Sequence, residues 1–126
     1  MRTGGGIVTQ FSDYRLVNNF IFANGTPTSD AGGLSFFQPW SAAELVNNTV
    51  AFNHAKPGQG AGIRCDASYP SVVNNIIWDN QDTGGLSSVV SCTATYTLTD
   101  DQPLAQLAGA YNQYAATVGD VFIDGV

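Results

Sequence analysis

Charge is scarce in this sequence. Charged residues make up 11% of its 126 positions, against ~25% in an ordinary globular domain. The four bases, Arg2, Arg15, Lys56 and Arg64, are scattered along the chain. A nucleic-acid backbone needs a basic stripe, so nucleic-acid binding is not expected. With ten acids the net charge is −6. His54 is the one histidine, which gives no support for a zinc site or a catalytic triad. No metal and no cofactor are expected. No apolar run approaches the ~20 residues of a membrane helix, so insertion in a membrane is not expected. The opening "MRTGGGIVTQ" lacks the apolar core of a secretory signal and looks cut into a repeat. Two cysteines, Cys65 and Cys92, allow one internal pairing. A disulfide would fit an exported protein, but the repeat register places the two on different strands of successive units. Two small buried thiols are the simpler expectation, and the pairing stays open.

What is abundant is Asn, Ser, Thr, Gln and Gly, residues that suit turns and extended backbone better than long helices. Apolar residues reach 44%, enough to build the core of one domain. An all-β chain is the natural reading.

Three segments nearly repeat one another: "RLVNNFIFAN" at 15–24, "ELVNNTVAFN" at 44–53 and "SVVNNIIWDN" at 71–80. Their asparagine pairs, Asn18-Asn19, Asn47-Asn48 and Asn74-Asn75, are 29 and 27 residues apart. A second landmark keeps step, "GGI" at 5–7, "GGL" at 32–34, "AGI" at 61–63 and "GGL" at 84–86. Two landmarks with one period indicate a solenoid. A degenerate fourth copy, "ATYTLTDD" at 94–101, carries Thr95 and Tyr96 where the asparagine pair is expected.

Short runs of β-branched and aromatic residues bounded by Gly, Asn or Asp read as strands of ~4 to 6 residues. One such unit makes a turn of three strands stacking ~4.8 Å from the next. The expected fold is a right-handed parallel β-helix of about four coils, at about 3–30, 31–59, 60–83 and 84–101, followed by a C-terminal segment, 102–126. Interior rows are expected at Ile7, Leu34, Ile63 and Leu86; at Val17, Val46, Val73 and Ala94; and at Ile21, Val50, Ile77 and Leu98. Asn19, Asn48 and Asn75 are assigned to an asparagine ladder at a corner, where an amide tolerates a left-handed bend and satisfies freed backbone groups. Asn24, Asn53 and Asn80, with Asp101 in the fourth copy, would mark the end of the next strand. Helical spacing of Leu104, Leu107, Ala108, Tyr111 and Tyr114 suggests a short helix within 103–117, with an irregular loop as the other reading.

The combination of "GG[IL]" with "[LV]VNNxxxxxN" resembles the parallel β-helix repeats of bacterial surface and secreted proteins, including polymorphic outer-membrane proteins. "GIRCDASYPSVVNNIIWDN", from Gly62 to Asn80, resembles the coils of choice-of-anchor β-helix proteins. "GDVFIDGV" at 119–126 is similar to the phrase that follows their terminal coil, although Val121 stands where a Pro-Leu pair would begin. The resemblance implies a β-helix and a secreted or cell-surface location; it specifies no reaction.

Loops of variable length between the landmarks are expected on one face, as in other solenoids. Phe37, Trp40 and Tyr69 lie in or beside such loops, where aromatic rings would stack on a saccharide or pack the loops against the barrel. Arg64 and Asp66 are expected to point outward from one strand, either as a surface pair or as part of a catalytic cluster, though polysaccharide cleavage needs further acid–base groups. The ligand-binding candidates are therefore Phe37, Trp40, Arg64, Asp66 and Tyr69, with no catalytic residue assigned. The expected role is a non-enzymatic scaffold, adhesion or glycan-binding segment, and the alternative is a fragment of a polysaccharide lyase or glycoside hydrolase. An uncovered first coil would favour end-to-end self-association or continuation of a longer solenoid.

Overall fold

The computed structural model describes residues 5–38, 42–65, 71–86, 88–100 and 113–114. The first coil contains β1 (Ile7–Gln10), β2 (Arg15–Val17) and β3 (Phe20–Phe22). The second contains β4 (Leu34–Phe37), β5 (Glu44–Val46), β6 (Thr49–Ala51) and β7 (His54–Ala55). The third has β8 (Ile63–Cys65), β9 (Ser71–Val73), β10 (Ile76–Trp78) and β11 (Gln81–Asp82), and β12 (Gly85–Leu86) follows it. The fourth has β13 (Val89–Val90), β14 (Ala94–Thr95) and β15 (Leu98–Thr99), with β16 (Gln113–Tyr114) beyond.

Apart from β12, each strand pairs in parallel with a neighbour one coil away. The sheets run β1-β4-β8-β13, β2-β5-β9-β14 and β3-β6-β10-β15-β16, with a short fourth sheet, β7-β11-β12. The fold is a parallel β-helix, all-β among the described residues. The helix considered within 103–117 is overruled at Gln113–Tyr114, which pair with Leu98–Thr99 as a strand; the rest of that segment lies outside the described residues.

Single left-handed residues make the corners. Asn18, Asn47, Asn74 and Tyr96 have φ of 51 to 58° between the second and third sheets, and Ala23, Phe52 and Asp79 have φ of 46 to 56° after the third. Phe11, Gln38 and Ser91 follow strands of the first sheet. Outside glycine this conformation costs roughly 1–2 kcal/mol per residue, less for Asn and Asp. The coil can bear the cost because parallel pairing on both sides and an interior row hold each bend in place.

Stacked interior rows form the core. Leu34, Leu45, Val50, Phe36, Ile63, Val72, Ile77 and Val89 are fully buried, and Tyr14 stacks on Phe36 with ring centroids 4.7 Å apart. A lone coil would leave these groups half wet, so their ~1.5–3 kcal/mol each of burial comes from neighbours. At Gly32 the coils approach so closely that a Cβ would sit 2.0 Å from the Ala61 carbonyl oxygen. This is why the landmark keeps a small residue, Gly32 or Ala61, two places before its apolar one.

The expected rows need three corrections. Val89, not Leu86, continues the row Ile7, Leu34 and Ile63. The "GGL" at 84–86 belongs instead to an antiparallel hairpin, β11–β12. There the Asp82 side chain accepts the Gly84 N–H at 2.6 Å, so local turn chemistry claims the glycines. In the second sheet the interior row is Leu16, Leu45, Val72 and Ala94; Val17, Val46 and Val73 pair with Thr95 on the opposite side of the strand. In the third sheet Ile21, Val50 and Ile77 do face inward, but Thr99 continues them and Leu98 pairs with Ile76. The cysteines are also joined: Cys65 and Cys92 form a disulfide with Cα atoms 5.0 Å apart. Placement on successive coils, which argued against pairing, brings them together, because one coil rise is a disulfide's span.

The two asparagines of each pair divide the work. The first takes the left-handed bend; the second turns inward and bonds from coil to coil. Asn48 Oδ1 accepts the Asn19 N–H and side-chain amide at 2.9 and 3.0 Å, and Asn75 Oδ1 does the same for Asn48 at 2.8 and 3.1 Å. A second ladder runs through Asn24, Asn53 and Asn80. The fourth copy breaks both. Thr97, not Tyr96, lies in register with Asn75, as shown by the Leu98 N–H donating to the Asn75 carbonyl.

Asp100 sits beyond Asn80, while Asp101, the residue expected there, lies outside the described residues. Asp100 is 6% exposed and accepts the Asp79 N–H at 2.6 Å and the Ser88 hydroxyl at 2.9 Å. Burial raises its carboxyl above the usual range, against the lowering effect of those hydrogen bonds. The folded state therefore holds this proton more tightly than the unfolded chain does. The resulting stabilisation is complete in acid and is lost as pH rises through the raised pKa. We predict that Asp100→Asn is more stable than the parent at neutral pH, with the difference vanishing in acid. Thermal unfolding across pH checks this, and a variant less stable at neutral pH would refute it.

Candidate functional site

The bend between the second and third sheets forms a groove of about 510 Å³. Its floor is the ladder, Asn48, Asn75 and Thr97, buried at that corner. Along one wall stand Asn47, Asn74 and Tyr96; along the other stand Thr49, Ile76 and Leu98. Both walls follow from strand geometry. The left-handed residue preceding each rung leaves its side chain exposed, and the residue following it is the first outward position of the next strand.

The floor's amides are already engaged. Asn75 Nδ2 donates to the carbonyls of Leu45 and Val73, each at 3.0 Å, and Asn48 Nδ2 donates to those of Leu16 and Val46 at 2.9 and 3.1 Å. Recognition therefore falls to the walls. Asn74 Nδ2 donates to Asn47 Oδ1 at 2.7 Å, which orients both exposed amides. Tyr96 is 58% exposed, so its ring presents a face to solvent. The lining offers hydrogen-bond donors and acceptors, a phenol and aliphatic surface, and no lining residue is a carboxylate or a base.

No protein-family model, curated protein or solved structure matches this chain. What the corner can do must be read from its own chemistry.

Of the residues singled out in the sequence, two meet. The Arg64 guanidinium lies 5.8 Å from the centroid of the Phe37 ring, a cation–π contact, and its Nη1 donates to Gln59 Oε1. Phe37 is 9% exposed, so its ring is not an open platform. Arg64 links the loop carrying Gln59 to the outer side of the first sheet. The outward row there is Val8, Ser35, Arg64 and Val90. Val89, next to Val90 on the same strand, faces the other way and is buried in the core. Trp40, Asp66 and Tyr69 lie outside the described residues. Asn19, Asn48 and Asn75 bond from coil to coil at this corner, and Asn24, Asn53 and Asn80, read as marking a strand end, form a second ladder at the neighbouring one.

The wall residues Asn47, Asn74, Tyr96, Ile76 and Leu98 escaped selection because repetition explained them as architecture. One signal was available. Tyr96 replaces an asparagine in the corner row, and an exposed aromatic that breaks a structural repeat needs another reason to be there.

Proposed function

We propose that this chain is a rigid, non-enzymatic β-helical segment of a bacterial surface or secreted protein, and that it holds glycan without cleaving it. The groove at the asparagine corner carries this reading. Oriented amides beside an exposed phenol and aliphatic side chains supply the hydrogen bonds and apolar contacts that a sugar's hydroxyls and C–H faces require. Glycoside cleavage would instead need paired carboxylates across the scissile bond.

Two further observations support the setting. The Cys65–Cys92 disulfide suits an oxidising, extracytoplasmic compartment. The repeat resembles those of choice-of-anchor and polymorphic outer-membrane β-helices, which agrees with a surface role. The alternative, a fragment of a polysaccharide lyase or glycoside hydrolase, would place its chemistry around Arg64 and Asp66, and Arg64 is engaged with Gln59 and Phe37.

A glycan array paired with an assay for released reducing ends separates the two. We expect retention of a subset of glycans with no release. Any turnover above a heat-denatured control would overturn the non-enzymatic reading, and retention of no glycan would overturn the binding reading.

A further inference from the structure

We infer that the asparagine corner binds a linear, uncharged glycan lying along the solenoid axis, with an aromatic ring at each end of the site. This rests on the glycan-binding reading above and adds the ligand's charge, its direction and the residues that set its length.

Register extends both walls by one coil. Asn18 precedes Asn47 in the left-handed row, and Phe20 pairs with Thr49 and so precedes it in the outward row. Phe20 is 66% exposed and stacks on Phe22, with centroids 5.3 Å apart, which holds the ring in place at the N-terminal end. Tyr96 stands at the C-terminal end on the other wall. The rings are three coil steps apart, roughly 14 Å at ~4.8 Å per step. Along one wall the same group recurs at successive steps, Asn18, Asn47 and Asn74. A ladder of like groups at a fixed pitch suits a polymer with repeating hydroxyls better than a compact ligand.

The ligand's charge follows from the lining. No lining residue is a cation, and the chain carries a net charge of −6. A uronate or sulfated chain would meet no cation in the groove and a repulsive field around it. An extended peptide is disfavoured for a separate reason. Strand addition requires an open sheet edge, whereas β6 and β10, which border the groove, are paired on both sides.

The test uses the full chain and isothermal titration with linear β-glucan, β-N-acetylglucosamine, α-mannan and β-mannan oligosaccharides, each from mono- to hexasaccharide. Oligogalacturonates and a library of extended peptides serve as comparisons. Affinity for at least one neutral series is expected to rise with length and then level off once the chain reaches both rings. Two substitutions place a neighbouring coil's residue at the same register and so preserve the fold: Tyr96→Asn, as at Asn74, and Phe20→Thr, as at Thr49. Each is expected to weaken binding of the longest oligosaccharide roughly 10-fold, with the monosaccharide response little changed for at least one of them. Phe11→Ala, at an exposed aromatic outside the groove, is expected to leave binding unchanged. If the parent binds glycans and both groove variants bind equally well, this site is wrong while glycan binding stands. Tighter binding of oligogalacturonate, or of a peptide, overturns the assignment of the ligand. No binding in any of the four neutral series overturns it as well, and a blank glycan array would overturn the underlying reading with it.

Discussion

Asn53→Ala should destabilise the protein by roughly 4 kcal/mol, at ~1–3 kcal/mol for each buried group left without a partner. Asn53 is fully buried, and its amide serves three coils. Its Oδ1 accepts the Asn24 N–H at 2.9 Å and the Asn24 amide at 3.1 Å. Its Nδ2 donates to the Ile21 carbonyl at 3.1 Å and to Asn80 Oδ1 at 2.8 Å. Truncation orphans a backbone donor in one coil and weakens acceptors in two, and nothing apolar nearby can compensate. Asn53→Asp should be worse still, despite its equal size, because it turns a donor into a charged acceptor facing two other oxygens. Asn18→Gly is the control: an exposed residue at φ 58°, where glycine meets no steric cost. It should change stability by less than ~0.5 kcal/mol. Urea denaturation of the variants decides the matter. If Asn53→Ala and Asn18→Gly unfold at the same midpoint, the ladder is not what holds the coils.

The double substitution Cys65→Ala with Cys92→Ala should cost about 3 kcal/mol, the entropy released to the unfolded chain when a closed loop of this size is opened. The sequence separation is 27 residues, one full coil. The bond therefore links two successive turns of the solenoid. For a domain of this size the loss corresponds to a melting point roughly 10 °C lower. A strong reductant should produce the same fall in the parent and none in the double variant. Equal midpoints for the oxidised parent and the double variant would show that the bond adds nothing to stability. The comparison also bears on location, because a fold that depends on this bond needs an oxidising compartment to persist.

Both predictions turn on features whose residues are plain in the sequence but whose partners are not. Asn19, Asn48 and Asn75 could be assigned to a ladder because identical amides at one period can meet only if the units stack. The same reasoning misplaced the start of the fourth coil, where "GGL" at 84–86 imitates the landmark. A periodic search cannot tell a repeat from a hairpin that borrows its glycines; the Asp82 side chain capping Gly84 decides that locally. Phase within a strand was likewise uncertain. In "RLV", "ELV" and "SVV" two adjacent residues are apolar, so composition alone does not say whether Val46 or Leu45 faces inward. Leu45 does, because the left-handed residue at Asn47 sets the exit of the strand.

The candidate site was less legible than the fold. The aromatic and charged residues that stand out in the sequence did not lead to it, for Phe37 and Arg64, the two of them among the described residues, are packed against each other. The groove came instead from residues that repetition had explained, and only Tyr96 departed from the pattern.

By itself the sequence determined that the repeats are β-structured, that they coil with a period of about 27–29 residues, and that paired asparagines mark a corner. Those properties are periodic, and stacking forces periodic residues together whatever the detail of each coil. Only the tertiary structure decided that Cys65 meets Cys92, that Val89 and Thr99 complete the interior rows, and that Tyr96 lines one groove with Asn47 and Asn74. These depend on the register between coils, which a one-residue bend or a borrowed glycine can shift without leaving a mark on the repeat.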